Sequence, residues 1–185
     1  MHELLKSHNS QHFKTNKYLT EDSIVNFIAT LQNKYNEFWK RKVESSNKLD
    51  FYRKFKYENK PEDYLDIIPI MDGKRHYTKF RTSNHKLAIE ILRYKRPTVP
   101  REQRLCEFCD QSEIEDEYHM IFSCKIYADL RKTFYEKIRA LLGIYPTNKD
   151  EFIETIFNTP NRLSVFYTSC FINKCFLRRN SLHQA

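Results

Sequence analysis

Residues 106–124 read CEFCDQSEIEDEYHMIFSC: two thiols at CxxC spacing, a histidine after nine intervening residues, and a third thiol after four more. Taken singly, these residues would be ordinary buried cysteines and a surface histidine. Together, Cys106, Cys109, His119 and Cys124 are four soft or borderline ligands in one short segment. Zinc takes such ligands at tetrahedral corners about 2.0–2.3 Å away, and a CxxC turn can present two sulfurs to one ion from a single knuckle of backbone. One structural Zn2+ is therefore expected. In a continuous α-helix, positions 119 and 124 would lie about 140° apart. The HMIFSC stretch is accordingly expected to be a turn or a broken first turn, with a long helix beginning near Cys124. A thioredoxin-like redox use of CEFC is disfavoured, because no βαβ pattern surrounds it. The acidic run Glu113, Glu115, Asp116 and Glu117 is expected to be solvated. Carboxylates just before a helix complement its positive end, and hard oxygen ligands lose to thiolates at zinc.

Working outward, Ile126, Tyr127, Leu130, Phe134, Ile138 and Leu141 line one face of a helix that stops at Gly143 and Pro146. Asn148 with Glu151 forms a capping box for a helix through Phe157. Thr159 and Pro160 start a last helix with Leu163, Phe166, Tyr167, Cys170 and Phe171 on its apolar face. Cys170 and Cys175 lack a nearby histidine and read as core residues. Upstream, Pro97 and Pro100 bracket a linker. Residues 74–96, a dense basic stretch after a break at Gly73, read as helix, turn, helix. A short helix opens at Pro61 and runs through Ile67, and residues 48–57 alternate aromatic and basic side chains at helix-compatible spacing. Ile24, Phe27, Ile28, Leu31, Tyr35 and Phe38 recur at three- and four-residue steps after Glu21 and Asp22, predicting an amphipathic helix to about Val43. Residues 1–19 are polar, with His2, His8 and His12 and no helical stripe, as in a mobile arm.

The expected fold is therefore mainly α: several amphipathic helices around a small zinc-stapled turn, with no extended sheet. The segments are a polar arm (1–19), a basic helical region (20–97), the zinc-binding segment with its long helix (98–143), and a C-terminal helical region (144–185). The 185 residues leave room for a core, and a composition with 12 Tyr and 14 Phe is far from that of a disordered chain. Only 2 Gly occur, so Gly-rich phosphate loops and nucleophile elbows lack the residue they depend on.

With 32 basic against 24 acidic residues the formal charge is +8, which favours polyanionic partners, nucleic acid first. No signal-peptide pattern or long apolar run is present, so an intracellular protein without a membrane partner is expected. An odd count of 5 Cys fits metal binding in a reducing compartment better than a disulfide framework.

The order KLDFYRKFKYE (48–58), KFRTSNHKLAIE (79–90), RLCEFC (104–109), IEDEYH (114–119), Cys124 and IYADLR (126–131) resembles the C-terminal zinc-binding domain of non-LTR (LINE-type) retrotransposon reverse transcriptases. The resemblance covers about residues 48–135. It implies that Cys106, Cys109, His119 and Cys124 are the zinc ligands and that the domain assists binding of RNA or DNA, with no catalysis of its own. The chain is shorter than such elements' proteins and has room for neither their polymerase palm nor their endonuclease. Tyr127-Ala128-Asp129 looks like the start of a polymerase YADD box. It is followed by Leu130 and falls in an amphipathic helix, not in a strand-turn-strand hairpin.

The cations expected at a nucleic-acid surface are Lys74, Arg75, Lys79, Arg81, Lys86, Arg93, Lys95 and Arg96, joined by Arg101 and Arg104. Tyr77, Phe80 and Tyr94 are interleaved among them, and Phe80 sits where a helix faces inward. Neither an enzymatic activity nor a small-molecule substrate is expected, since no histidine or carboxylate has a partner at catalytic spacing. The rival to nucleic-acid binding is a structural or protein-interaction helical module, or a non-functional transposon remnant, in which zinc only supports folding.

Overall fold

The computed structural model describes residues 20–182; the polar arm expected over 1–19 lies outside them. The chain divides after Arg41. The described part of the first unit, residues 20–41, belongs to helix α1 (Glu21–Glu44). The Thr20 hydroxyl accepts the Ser23 N–H at 3.3 Å, and Glu21 and Asp22 occupy the first turn, where carboxylates offset the helix dipole.

The second unit, Lys42–Ala185, takes in the rest of the basic region, the zinc segment and the C-terminal region together, with no separation at the 97–100 linker. It contains helices α2 (Tyr64–Ile67), α3 (Met71–Arg81), α4 (Ala88–Ile91), α5 (Ala128–Leu142), α6 (Lys149–Asn158) and α7 (Arg162–Leu182). Among the described residues no strand forms, and the one antiparallel bridge pairs Leu105 with Ile114. The mainly α expectation holds.

Helix α7 organises this unit by packing against α3 and α5, and also meeting α2 and α6. A helix enclosed on several sides cannot be amphipathic. Val165, Phe171, Ile172, Cys175 and Phe176 are buried with Ser164, Thr168, Ser169 and Arg179, while Leu163 is 55% exposed. The single apolar face expected for this helix is thus corrected, and Cys170 is only half-buried while Cys175 is enclosed. Small hydroxyls are admitted because Thr168 and Ser169 donate to the Ser164 and Phe166 carbonyls at 2.8 and 2.7 Å.

Two further expectations change. Gly73 does not break a helix; it is buried in the first turn of α3, where backbone N–H groups lack helical partners anyway and a glycine is less costly than in the interior. The second basic helix shrinks to the four residues of α4. Tertiary partners take over its backbone there: Ala88 N–H donates to Glu115 at 2.7 Å, Ile89 N–H to the Glu115 carbonyl at 3.1 Å, and Arg104 to the Ile89 carbonyl at 3.0 Å. The aromatic and basic stretch at 48–57 forms two 3-10 turns, Asn47–Leu49 and Tyr52–Lys54, that bury Phe51 and Phe55.

The long helix α5 ends as read, with Gly143 in the left-handed region at φ 68° and its N–H on the Arg139 carbonyl. Asn148 caps α6 by accepting from Asp150 and Glu151 at 3.1 and 3.3 Å. Asn161, not Thr159 or Pro160, caps α7, accepting from Ser164 at 3.0 Å.

Candidate metal centre

Between Arg104 and Glu115 the chain folds back on itself. Cys106 N–H donates to the Glu113 carbonyl and Glu115 N–H to the Arg104 carbonyl, both at 2.9 Å, and Ser112 turns the corner at φ 51°. This knuckle carries Cys106 and Cys109. The other two ligand candidates flank a five-residue π turn, His119–Ser123, whose 5-residue closure is the Cys124 N–H bond to the His119 carbonyl at 2.8 Å. A π turn advances the chain differently from an α-helix, and so relieves the angular mismatch expected between positions 119 and 124. A 3-10 turn, Lys125–Tyr127, then leads into α5.

The four ligand atoms of Cys106, Cys109, His119 and Cys124 lie within 4.8 Å of one another. A tetrahedral zinc site with bonds of about 2.3 Å to sulfur and about 2.0 Å to nitrogen has sulfur–sulfur edges near 3.8 Å and sulfur–nitrogen edges near 3.6 Å. Cys106 Sγ and Cys124 Sγ are 3.9 Å apart, and Cys109 Sγ and His119 Nε2 are 3.3 Å apart. These two distances lie within about 0.3 Å of the corresponding edges, and the group could hold a metal ion.

The surroundings prepare the donors. Each sulfur receives a backbone N–H from two residues on: Phe108 to Cys106, Gln111 to Cys109, Ile126 to Cys124. His119 Nδ1–H donates to the Glu113 carboxylate at 2.9 Å, which leaves the Nε2 lone pair for a metal. Without an ion, the Cys124 thiol hydrogen-bonds to Cys106 and, helped by His119 and the Phe108 N–H, outweighs burial to bring Cys106 down to about 3. The same contact, with burial, pushes Cys124 up. Burial also raises Cys109. Burial works against protonation of His119, but its bonds with Cys106 and Glu113 prevail and raise it. The pocket thus favours the thiolate at Cys106, the form in which a cysteine binds a metal ion.

Of the acidic run only Glu113 is exposed, and the others are drawn inward. Glu115 is 2% exposed and accepts Arg179 Nε and Nη2, both at 2.8 Å, with Arg179 itself 1% exposed. Glu117 is also buried, and accepts the Ser83 hydroxyl at 2.6 Å and His85 Nε2 at 2.9 Å. Asp116 Oδ1 accepts the His119 N–H at 2.9 Å and so caps the turn that presents the histidine. From the other side Arg131 donates to the Cys124 and Ile121 carbonyls at 2.6 and 2.9 Å. None of these supporting roles was anticipated. The spacing of Asp116 three residues before His119, that of a capping residue, was the available signal. Arg179 and His85 give none, being brought in by the fold.

The predicted cations scatter. Arg81 is buried, donating to the Phe157 carbonyl at 3.0 Å and to Glu62 at 2.7 Å beneath the Phe55 ring. Arg104 is buried too, on the Ile89 and Val99 carbonyls. Both leave the candidate nucleic-acid surface, because their charge is spent holding backbone inside the unit. Arg93 pairs with Glu90 and Arg101 with Asp116. Lys74 is half-buried, whereas Arg75, Lys79, Lys86, Lys95 and Arg96 are exposed. Tyr77 and Phe80 are fully buried, and Tyr94 is 67% exposed.

No described helix is long and apolar enough to cross a membrane. Comparison with known protein families, curated proteins and solved structures finds no match to the chain.

Proposed function

We propose that the protein is a nucleic-acid-binding module stapled by one zinc ion, similar to the C-terminal tail of a non-LTR retrotransposon reverse transcriptase and without catalysis of its own. The observation that carries this reading is the four-ligand group Cys106, Cys109, His119 and Cys124, with tetrahedral edge lengths and a carboxylate behind its histidine. A Cys3His set with amide donors on the sulfurs suits zinc better than a hard cation. Four protein ligands fill the tetrahedral positions of zinc and leave none open for substrate, so the ion serves structure. Five free cysteines accord with an intracellular, reducing compartment. The exposed cations supply the affinity, and RNA or DNA binding is expected to weaken steeply as salt rises.

Elemental analysis of protein purified without added zinc, beside a Cys106→Ser variant, tests the first half: one zinc per chain is expected, lost in the variant. Titration with RNA and with DNA at two salt concentrations tests the second.

A protein-interaction role is the second reading, and α1 favours it. Ile24, Val25, Ile28 and Tyr35 of that helix are exposed large apolar side chains. Zinc-loaded protein that retains no RNA or DNA at low salt would move this reading to first place.

A further inference from the structure

Three of the exposed cations come together. Arg75 and Lys79, one turn apart on α3, and Lys86 on the segment before α4 line a pocket of about 210 Å3. Its other wall is α7, which contributes Phe176 and Asn180, again one turn apart. Asn84 adds a second side-chain amide, and the His76 ring stacks on Phe176 at 5.3 Å to form a flat floor.

The charge pattern is one-sided. No carboxylate lines this pocket. Asp72 reaches only the outer Arg75, at 3.4 Å on the exposed side of α3, and Glu117 lies behind His85, its charge taken up by His85 and Ser83. Lys79 and Lys86 have no ion pair among the described residues. Two other clefts of the unit also hold cations but mix them with acids: one has Lys56, Lys60 and Arg81 beside Glu58, Glu62 and Asp63, the other Arg93 and Arg101 beside Glu90 and Asp116. A concave site with three cations, two amide donors and no competing carboxylate is complementary to a phosphate group.

We infer that this pocket between α3 and α7 binds phosphate and, on the nucleic-acid reading above, seats one backbone phosphate of the bound strand. Lys79 and Lys86 supply point charges, Arg75 a planar fork, and Asn84 and Asn180 neutral hydrogen bonds to phosphate oxygens. The flat His76–Phe176 floor takes the attached sugar.

The full-length, zinc-loaded chain is titrated by fluorescence anisotropy against single-stranded RNA and DNA of about 20 nucleotides over a range of salt. Wild type is compared with Lys79→Ala/Lys86→Ala and with a control on α5, Lys132→Ala/Arg139→Ala; all four positions are exposed, and circular dichroism checks that the fold is kept. Inorganic phosphate is added separately while backbone amides are followed by NMR. The pocket variant is expected to lower the slope of log K against log salt by about 0.7, the share of one neutralised phosphate, which is roughly fourfold in affinity near 0.15 M salt. The control should change it by less than half as much, and phosphate should shift the amides of Asn84, Lys86 and Asn180. If wild type binds oligonucleotide and the pocket variant keeps its slope, the pocket assignment is wrong and the nucleic-acid reading survives. Phosphate shifts at the pocket without oligonucleotide binding would leave the pocket standing and remove the nucleic-acid reading. With neither response, both fall.

Discussion

The segment that carries the candidate metal ligands and the aromatic core around Phe157 lie in the same unit, but they are held by different kinds of force. Around Phe157, rings meet rings: Phe55 stacks on it at 4.6 Å, and Phe51, Tyr77 and Phe80 sit at 5.5, 5.5 and 6.2 Å. One charge enters that cluster, Arg81, and it is met by Glu62 and a carbonyl. The ligand-bearing segment instead buries carboxylates, an imidazole and thiols, each tied to a named donor. The first region gains its stability from apolar area and tolerates shape changes in proportion to their size. The second is satisfied completely or not at all, because an unpaired buried charge costs far more than a missing methyl group.

That contrast can be broken most forcefully at the metal. Cys124→Ser, or a chelator acting on the wild type, should abolish the zinc stoichiometry and strip hydrogen-exchange protection from residues 105–127, since structural zinc binding is worth on the order of 10 kcal/mol. Amides of α3 should retain most of their protection. If both regions open together, the two are one cooperative block and the contrast fails. Acid should act as the chelator does, because protonated thiols release zinc.

Phe157→Ala should cost about 4 kcal/mol in denaturant unfolding through the cavity it leaves. The zinc content of the folded fraction should not change. Glu115→Gln should cost about 3 kcal/mol by leaving Arg179 enclosed without its counter-charge, whereas Glu115→Leu combined with Arg179→Met should recover much of that loss. Recovery would show the ion pair to be replaceable by packing, and so make the two regions more alike than their chemistry suggests.

The aromatic side has a pH effect of its own, in the alkaline range. Burial pushes the Tyr77 hydroxyl up to about 12, above the value near 10 of an unfolded tyrosine. The folded state therefore favours the protonated phenol. Its contribution is intact below about pH 10 and disappears as pH rises through 12, a loss of roughly 3 kcal/mol that Tyr77→Phe should not show. The smallest effect expected is Asn148→Ala, about 1 kcal/mol from the lost cap of α6.

The same contrast explains what could be read in the sequence. Cys106, Cys109, His119 and Cys124 were legible as one group because a candidate metal site needs a few residue types, and here all four donors lie close along the chain. Helix ends at Gly143 and Asn148 were legible because caps are local. The burial of Glu115 and Glu117 was not. Nothing in EIEDE distinguishes a solvated run from one whose partners, Arg179, Ser83 and His85, arrive through tertiary folding. Arg81 and Arg104 were assigned to the surface for the same reason: a charge is recognisable in sequence, but the carbonyl or carboxylate that takes it inside is not. The length of α4 fell to long-range hydrogen bonds from Glu115 and Arg104, which override local helix preference. Helix α7 was mispatterned because it is surrounded, and periodicity reports a face only when one side meets solvent.

The Glu115–Arg179 pair also has a consequence for the order in which the chain can mature. The two residues are 64 positions apart, and translation proceeds from the N-terminus at roughly 10 residues per second. The knuckle and all four metal ligands therefore leave the ribosome about six seconds before the arginine that neutralises the carboxylate between them. Until α7 arrives, Glu115 must stay in water, and the knuckle cannot settle into its final seat. A nascent chain stalled short of Arg179 would hold its thiols and histidine ready for metal, with the face that later receives α7 still wet.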